Sequence, residues 1–232
     1  MTLDSAVNLF AKYNILLVPQ QYEMLIQYAE LLHMEGSRQN VTAVDEPDVI
    51  WVRHFLDAAY LSGRIPKEAS VIDIGTGGGI PGIPLAILRS DLQITLLDSE
   101  LRKIEFCREV AKQIGIAVHA VSARAEELAH EPAYREQFDC AVSRAMAAGS
   151  MLTELAVPFV KTGGRLIAMK GRSYTAETEP FDSAAAALHA EAPEIEPYAL
   201  EGEQKYLITV RKLSATPAQY PRRFAKIRRC PL

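Results

Sequence analysis

An acid two residues ahead of a run of glycines is the first place where this sequence could do chemistry. The segment VIDIGTGGGIPGIPLAI, residues 71–87, sets Asp73 before Gly75, Gly77 and Gly79, with Gly82 in the same run. Glycines let the chain turn sharply after a strand and let a ligand approach the backbone with no Cβ in the way. Two registers fit. Gly77, Gly79 and Gly82 spell G-x-G-x-x-G, the dinucleotide fingerprint. Asp73 followed by Gly75, Gly77 and Gly79 is instead the pattern of enzymes that use S-adenosylmethionine (SAM). A carboxylate beside the loop favours the ammonium of a methionine moiety and opposes a pyrophosphate. Pro81 removes one of the helix-start amides that a pyrophosphate would use. Both features favour SAM, with an NAD-linked oxidoreductase as the alternative.

A second acid, Asp98 in ITLLDS, closes the next apolar run, where a carboxylate can accept both hydroxyls of an adenosine ribose. Both cofactors carry that ribose, so Asp98 does not separate them. The acceptor side is read from VSRAMA, residues 142–147, which holds Arg144. There is no Asn or Asp followed by two prolines and an aromatic, as methylation of an exocyclic amine would require. Cys140 falls inside a strand and not at a nucleophile position, which argues against attack on a pyrimidine carbon. Acceptors that are already nucleophilic remain, such as a ring nitrogen with a free lone pair, where catalysis is mostly orientation. Arg144 would contact the cofactor or the target base, or else form a surface ion pair with a nearby Glu.

These residues need elements to hold them. Apolar spacings of three and four predict helices over 3–13 and 20–33, punctuated by Pro19 and Gly36, and a third from about 46 to 62 with Gly63 past its end. Residues 1–65 thus read as an N-terminal helical cap. Short β-branched runs at 70–74, 93–97, 117–121, 138–142 and 165–169 then alternate with helices over 81–89, 100–114, 149–160 and 175–190, and strands at 195–200 and 205–212 follow. Alternation of this kind predicts an α/β fold, a parallel sheet with helices on both faces, spanning residues 66–213; taken with the SAM reading of the glycine loop, the expected architecture is a Rossmann-like class I SAM-dependent methyltransferase sheet. In an open parallel sheet the ligand lies beyond the carboxyl ends of the strands at the switch in strand order, where the glycine loop belongs.

Charge distribution supplies a partner. The 232-residue chain carries a formal net charge of −4, yet residues 204–232 contain no Asp or Glu. They hold Lys205, Arg211, Lys212, Arg222, Arg223, Lys226, Arg228 and Arg229, leaving about −12 on the rest. A basic tail over 214–232 reads as a contact to a phosphate backbone, joined by Lys170 and Arg172, or as a solvated terminus. The first reading predicts binding that weakens steeply with salt; it also leaves room for a non-catalytic RNA-binding assembly factor. Cys107, Cys140 and Cys230 show neither zinc nor disulfide spacing, and no metal is expected. No run approaches a membrane span and no signal peptide opens the chain, so a cytoplasmic protein is expected; a monomer is the expected assembly, a point that nothing in the sequence fixes.

Several motifs together carry a family resemblance: N-V-T at 40–42, R-H-F-L-D at 53–57, DIGTGGGIPGIPLAI at 73–87, LLDS at 96–99, RAEE at 124–127, SRA at 143–145, MKG at 169–171 and YPRR at 220–223. The sequence resembles the bacterial small-subunit ribosomal RNA guanine-N7 methyltransferases, also called glucose-inhibited division protein B. The resemblance implies a SAM-dependent enzyme that methylates N7 of a guanosine in the decoding-region loop of 16S rRNA, in the small ribosomal subunit or its assembly intermediate. N7 is a lone-pair nucleophile of the kind left open above. Carried over by position, the family's cofactor contacts fall on Gly75, Ile80, Ala125, Glu126 and Arg144, with Ala125 and Glu126 placed to read the adenine. Asp73, Gly77, Gly79 and Asp98 complete the expected cofactor set. Expected RNA contacts are Arg53, His54, Lys170, Arg172, Arg222, Arg223, Arg228 and Arg229; for Arg53 and His54 a packing or capping role is the alternative. The chain departs from the family's usual pattern at Val41, often Leu, and at Ala58, often Ser.

Overall fold

Seven short aliphatic runs pair into one sheet: β1 (Ser70–Ile74), β2 (Gln93–Asp98), β3 (His119–Ser122), β4 (Phe138–Arg144), β5 (Val160–Lys170), β6 (Glu194–Leu200) and β7 (Glu203–Arg211). The computed structural model describes residues 1–39, 47–144, 146–175 and 180–232. The N-V-T motif, Glu46, Ala145 and the 176–179 part of the helix expected at 175–190 lie outside the described residues.

The strand order is β3-β2-β1-β4-β5-β7-β6. The first five strands are mutually parallel, as the alternation predicts, but β7 runs antiparallel to both its neighbours. Its link to β6 is only Glu201 and Gly202, with φ of 46° and 83°. Two residues can close a hairpin and cannot cross the sheet. β5 begins earlier than expected because Phe138 pairs with Val160 while Cys140 pairs with Arg165, so residues 161–164 loop out of register.

Ten α-helical segments accompany the sheet among the described residues. α1 (Leu3–Ala11) and α2 (Pro19–Gln39) start the cap; α2 runs past Gly36, correcting the expected stop there. One interior glycine costs a helix only about 1 kcal/mol, too little to end a 21-residue element. The third predicted helix is α3 (Pro47–Ile50), a π-helical turn (Trp51–Leu56) and α4 (Asp57–Ser62) in succession. α5 (Gly82–Leu88) and α6 (Leu101–Ile114) follow β1 and β2, and the short α7 (Ala125–Leu128) follows β3. α8 (Gly149–Ala156), α9 (Asp182–Ala187) and α10 (Phe224–Arg229) complete the set.

Strand residues alternate between two cores, as a period of two requires. Val71, Leu96, Val142 and Ile167 pack with α5, α6 and the cap's Tyr28, Trp51 and Phe55. Ile72, Leu97, Ala141 and Leu166 pack with Leu152 and Ala156 of α8 and Ala185 of α9. The cap thus shares one core with a sheet face and is joined to the glycine loop directly, since the Tyr28 hydroxyl donates to the Gly78 carbonyl at 2.7 Å. No helix among the described residues is long and apolar enough to cross a membrane.

Candidate functional site

The chain turns from β1 into α5 at the switch in strand order, between β2 on one side and β4 on the other. Gly75, Gly77 and Gly79 have φ of 71°, 58° and 100°, a region that L side chains rarely adopt. A Cβ on Gly75 would lie 2.6 Å from Met146 Cγ. One on Gly79 would strike Ile83 and come within 3.1 Å of the Tyr28 hydroxyl. Gly79 is thus needed for packing, while Gly75 and Gly77 line a cleft.

Asp73 does not reach that cleft. It is fully buried, and its Oδ2 accepts from Thr76 Oγ1 at 2.6 Å and from the Gly82 amide at 2.9 Å. Its Oδ1 has no partner among the described residues, and burial pushes the carboxyl up to about 7. The expectation that Asp73 faces a methionine ammonium is corrected: its carboxylate is turned back to tie the loop to the start of α5. Ile80 sits in the core against the cap, buried, and is not among the residues lining that cleft.

Asp98, at the carboxyl end of β2, faces the cleft while Oδ2 accepts from the Gly77 amide and Oδ1 from the Glu100 amide, each at 3.0 Å. Each oxygen keeps a second lone pair for a ligand. The cleft, about 360 Å³, is completed by Ala125, Glu126 and Arg144 from the expected set, and by Arg124, Met146, Met151 and Phe224, which sequence reasoning missed. The donor set fits SAM: a carboxylate for the ribose, bare glycine backbone, and the Met146, Met151 and Phe224 side chains beside them.

A larger cleft of about 730 Å³ opens next to it and gathers Arg53, Arg144, Lys170 and Arg172. Arg144, Met146 and Ala147 line both clefts. Arg144 Nη1 lies 2.6 Å from His54 Nδ1. Burial and the neighbouring guanidinium hold His54 down at about 3, so the ring is neutral and its Nδ1 lone pair accepts. This corrects the expected RNA contact: His54 is buried behind Arg144 and fixes it. Arg53, exposed on the π-helical turn, is 4.0 Å from Glu203, and Lys170 donates to the Ala147 carbonyl at 2.7 Å. Deeper in this cleft Asp57 accepts from the Tyr198 hydroxyl at 2.6 Å and pairs with Lys205 at 3.0 Å.

The basic tail is partly internal. Arg222 Nε and Nη2 grip the fully buried Glu154 of α8 at 2.7 and 2.6 Å, and the Arg222 amide adds a third bond at 2.9 Å. It is therefore corrected from an RNA contact to an anchor. Lys212 is also buried, pairing with Glu136 at 2.6 Å and donating to the Val160 carbonyl at 2.8 Å. Arg223, Lys226, Arg228 and Arg229 stay exposed on and beside α10, outside both clefts. Among the described residues no group of His, Cys, Asp and Glu could hold a metal ion.

Comparison with known proteins agrees with this geometry. The model of the rRNA small subunit methyltransferase G family (GidB) matches residues 21–206. The ribosomal RNA small subunit methyltransferase G of Clostridium novyi (strain NT) is 38% identical over 209 residues, 88% of this chain and 86% of that protein. Its namesake in Desulfitobacterium hafniense (strain Y51) is 39% identical over 215 residues, 91% of this chain and 90% of that one. Among solved structures, an O-methyltransferase from Bacillus cereus in complex with SAH shares the fold, with a TM-score of 0.56 at 16% identity over 80% of this chain and 90% of that chain.

Proposed function

This chain belongs to the rRNA small subunit methyltransferase G family, and on that premise we propose that it transfers a methyl group from SAM to N7 of a guanosine in the decoding-region loop of 16S rRNA. The observation that carries the reading is the shared wall: one cleft fits the cofactor, the adjoining one is rich in cations, and Arg144 lines both. When bound, SAM supplies an electrophilic methyl on a sulfonium. Asp98 would hold the ribose hydroxyls, and Ala125 with Glu126 would border the adenine. Arg144, fixed from behind by neutral His54, has N–H groups available for the guanine carbonyl while the N7 lone pair stays free. No proton leaves N7 before attack, so no general base is required, and the chain's contribution is orientation and electrostatics.

Arg53, Lys170 and Arg172 are assigned to the RNA backbone beside the target base, and Arg223, Arg228 and Arg229 to more distant phosphates. The substrate is the small ribosomal subunit or an assembly intermediate, and the protein acts as a cytoplasmic monomer organised as a cap (1–65), a methyltransferase domain (66–213) and a basic C-terminal segment (214–232). The dinucleotide alternative would need Gly79 and Gly82 at the ligand. Neither lines either of the two clefts, and a Cβ on Gly82 would run into Leu96 and Asp73. A purely RNA-binding assembly factor would have no use for the cofactor cleft. Titration with SAM and NAD, followed by transfer of labelled methyl to 16S rRNA, tests the reading. SAM binding with RNA labelling is expected; NAD binding, or SAM binding without label in RNA, would sink it.

A further inference from the structure

Among the described residues, all but one of those lining the cofactor cleft come from the stretch between Ile74 and Leu155; the exception is Phe224. Phe224 is half-buried, the first residue of α10, and the Arg124 guanidinium lies 5.6 Å from its ring centroid. Arg124 directly precedes Ala125 and Glu126, so the ring stands beside the part of the cleft that the turn after β3 lines. Its segment is pinned on both sides. Arg222 holds buried Glu154, Arg135 Nη1 donates to the Tyr220 carbonyl at 2.9 Å, His130 Nε2 donates to the Pro221 carbonyl at 2.9 Å, and Ile227 is buried. A short C-terminal helix is thus fixed so that its side chain is the one aromatic bordering the cleft among the described residues, beside Arg124, Ala125 and Glu126. An aromatic face of this kind has a natural occupant in a flat purine, which stacks on it without hydrogen-bond readout.

We propose that Phe224 is a cofactor-contacting residue, its ring forming the outer wall of the adenine end of the cleft and stacking on the adenine of bound SAM. The proposal rests on the SAM reading above. It extends the site beyond the glycine loop and beyond the family-matched region, which ends at residue 206.

Calorimetric binding of SAM and of 5′-methylthioadenosine, which lacks the amino-acid tail, to the full-length chain tests it. Phe224→Leu keeps an apolar cover for α10 but no aromatic face, and it should weaken both ligands alike, by about tenfold, with melting close to that of the wild type. Phe224→Trp should bind within about threefold of the wild type. A Leu variant that binds both ligands within about twofold of the wild type, or a Trp variant that loses as much as Leu, overturns the proposal. If the wild-type chain itself fails to bind SAM, the methyltransferase reading falls and this inference with it. If the wild type binds and only the variant pattern is absent, this inference alone falls.

Discussion

The two clefts that meet at Arg144 are built in different ways. The cofactor cleft is mostly backbone and short-range: Gly75, Gly77 and Asp98 lie on consecutive strand ends, and their geometry is set by positive φ and by bonds such as Gly77 amide to Asp98. The adjoining cation-rich cleft is mostly side chain and long-range, joining Arg53 from the cap, Arg144 from β4, Lys170 from β5 and Glu203 from β7. A site of the first kind depends on positions that tolerate no Cβ. A site of the second kind depends on which charges are held by internal partners and which are left for a ligand. His54 and Arg222 look like their exposed neighbours in sequence but serve the interior, behind Arg144 and Glu154 respectively.

The sharpest way to break this contrast is at Arg222. Arg222→Ala leaves Glu154 buried with its strongest partner gone, and should cost about 3–5 kcal/mol of stability in urea unfolding. A loss under about 1 kcal/mol would mean the pair is not anchoring α10. Next comes Arg144→Ala, which should lower methyl transfer by about 100-fold or more, with a smaller loss of SAM affinity, as measured by single-turnover kinetics and calorimetry.

The pH dependence of folding should then run in opposite directions in the two regions. Asp73, at about 7 in the folded chain against 3.8 ordinarily, keeps a proton that the unfolded chain has lost. Its effect is a stability that declines as pH rises from about 4 to about 7, and Asp73→Asn should remove that decline. His54, at about 3 against 6.5, refuses a proton that the unfolded chain takes up. Stability from this group declines as pH falls from about 6.5 towards 3, and His54→Gln should flatten that limb. Melting curves across pH check both, and equal slopes in the two variants would contradict the assignment. The smallest effect is expected on the surface. Arg228→Ala with Arg229→Ala should change stability by no more than about 0.5 kcal/mol while reducing the salt slope of RNA binding by about 1 to 2.

What was legible in the sequence follows the same division. The five parallel strands and the glycine turn could be read because they are local patterns: short β-branched and aliphatic runs, buried almost throughout in β1 and β2, and glycines where the backbone must go left-handed. The antiparallel β7 was masked by the uniform look of aliphatic strands, although the Glu201–Gly202 pair between two runs is a hairpin signal. Lys212 could have been placed inside, since it continues the inward alternation of Ile208 and Val210. Arg222 had no such signal, because its partner Glu154 is 68 residues away and looks like an ordinary helix-surface acid until α10 docks. The position of Asp73 ahead of the glycines points to the ligand. Only the fold reveals that both Thr76 and Gly82 turn back onto it.

The account stands most directly on where the methyl goes. Small-subunit RNA from cells lacking this activity would be incubated with the protein and SAM, then treated with borohydride and aniline, which cut the chain at N7-methylated guanosine. Scission at one guanosine in the decoding-region loop, absent without SAM and strongly reduced with Arg144→Ala, is the predicted result. Methyl label entering the RNA with no scission there would place the transfer on another atom or another nucleotide, and either contradicts the account.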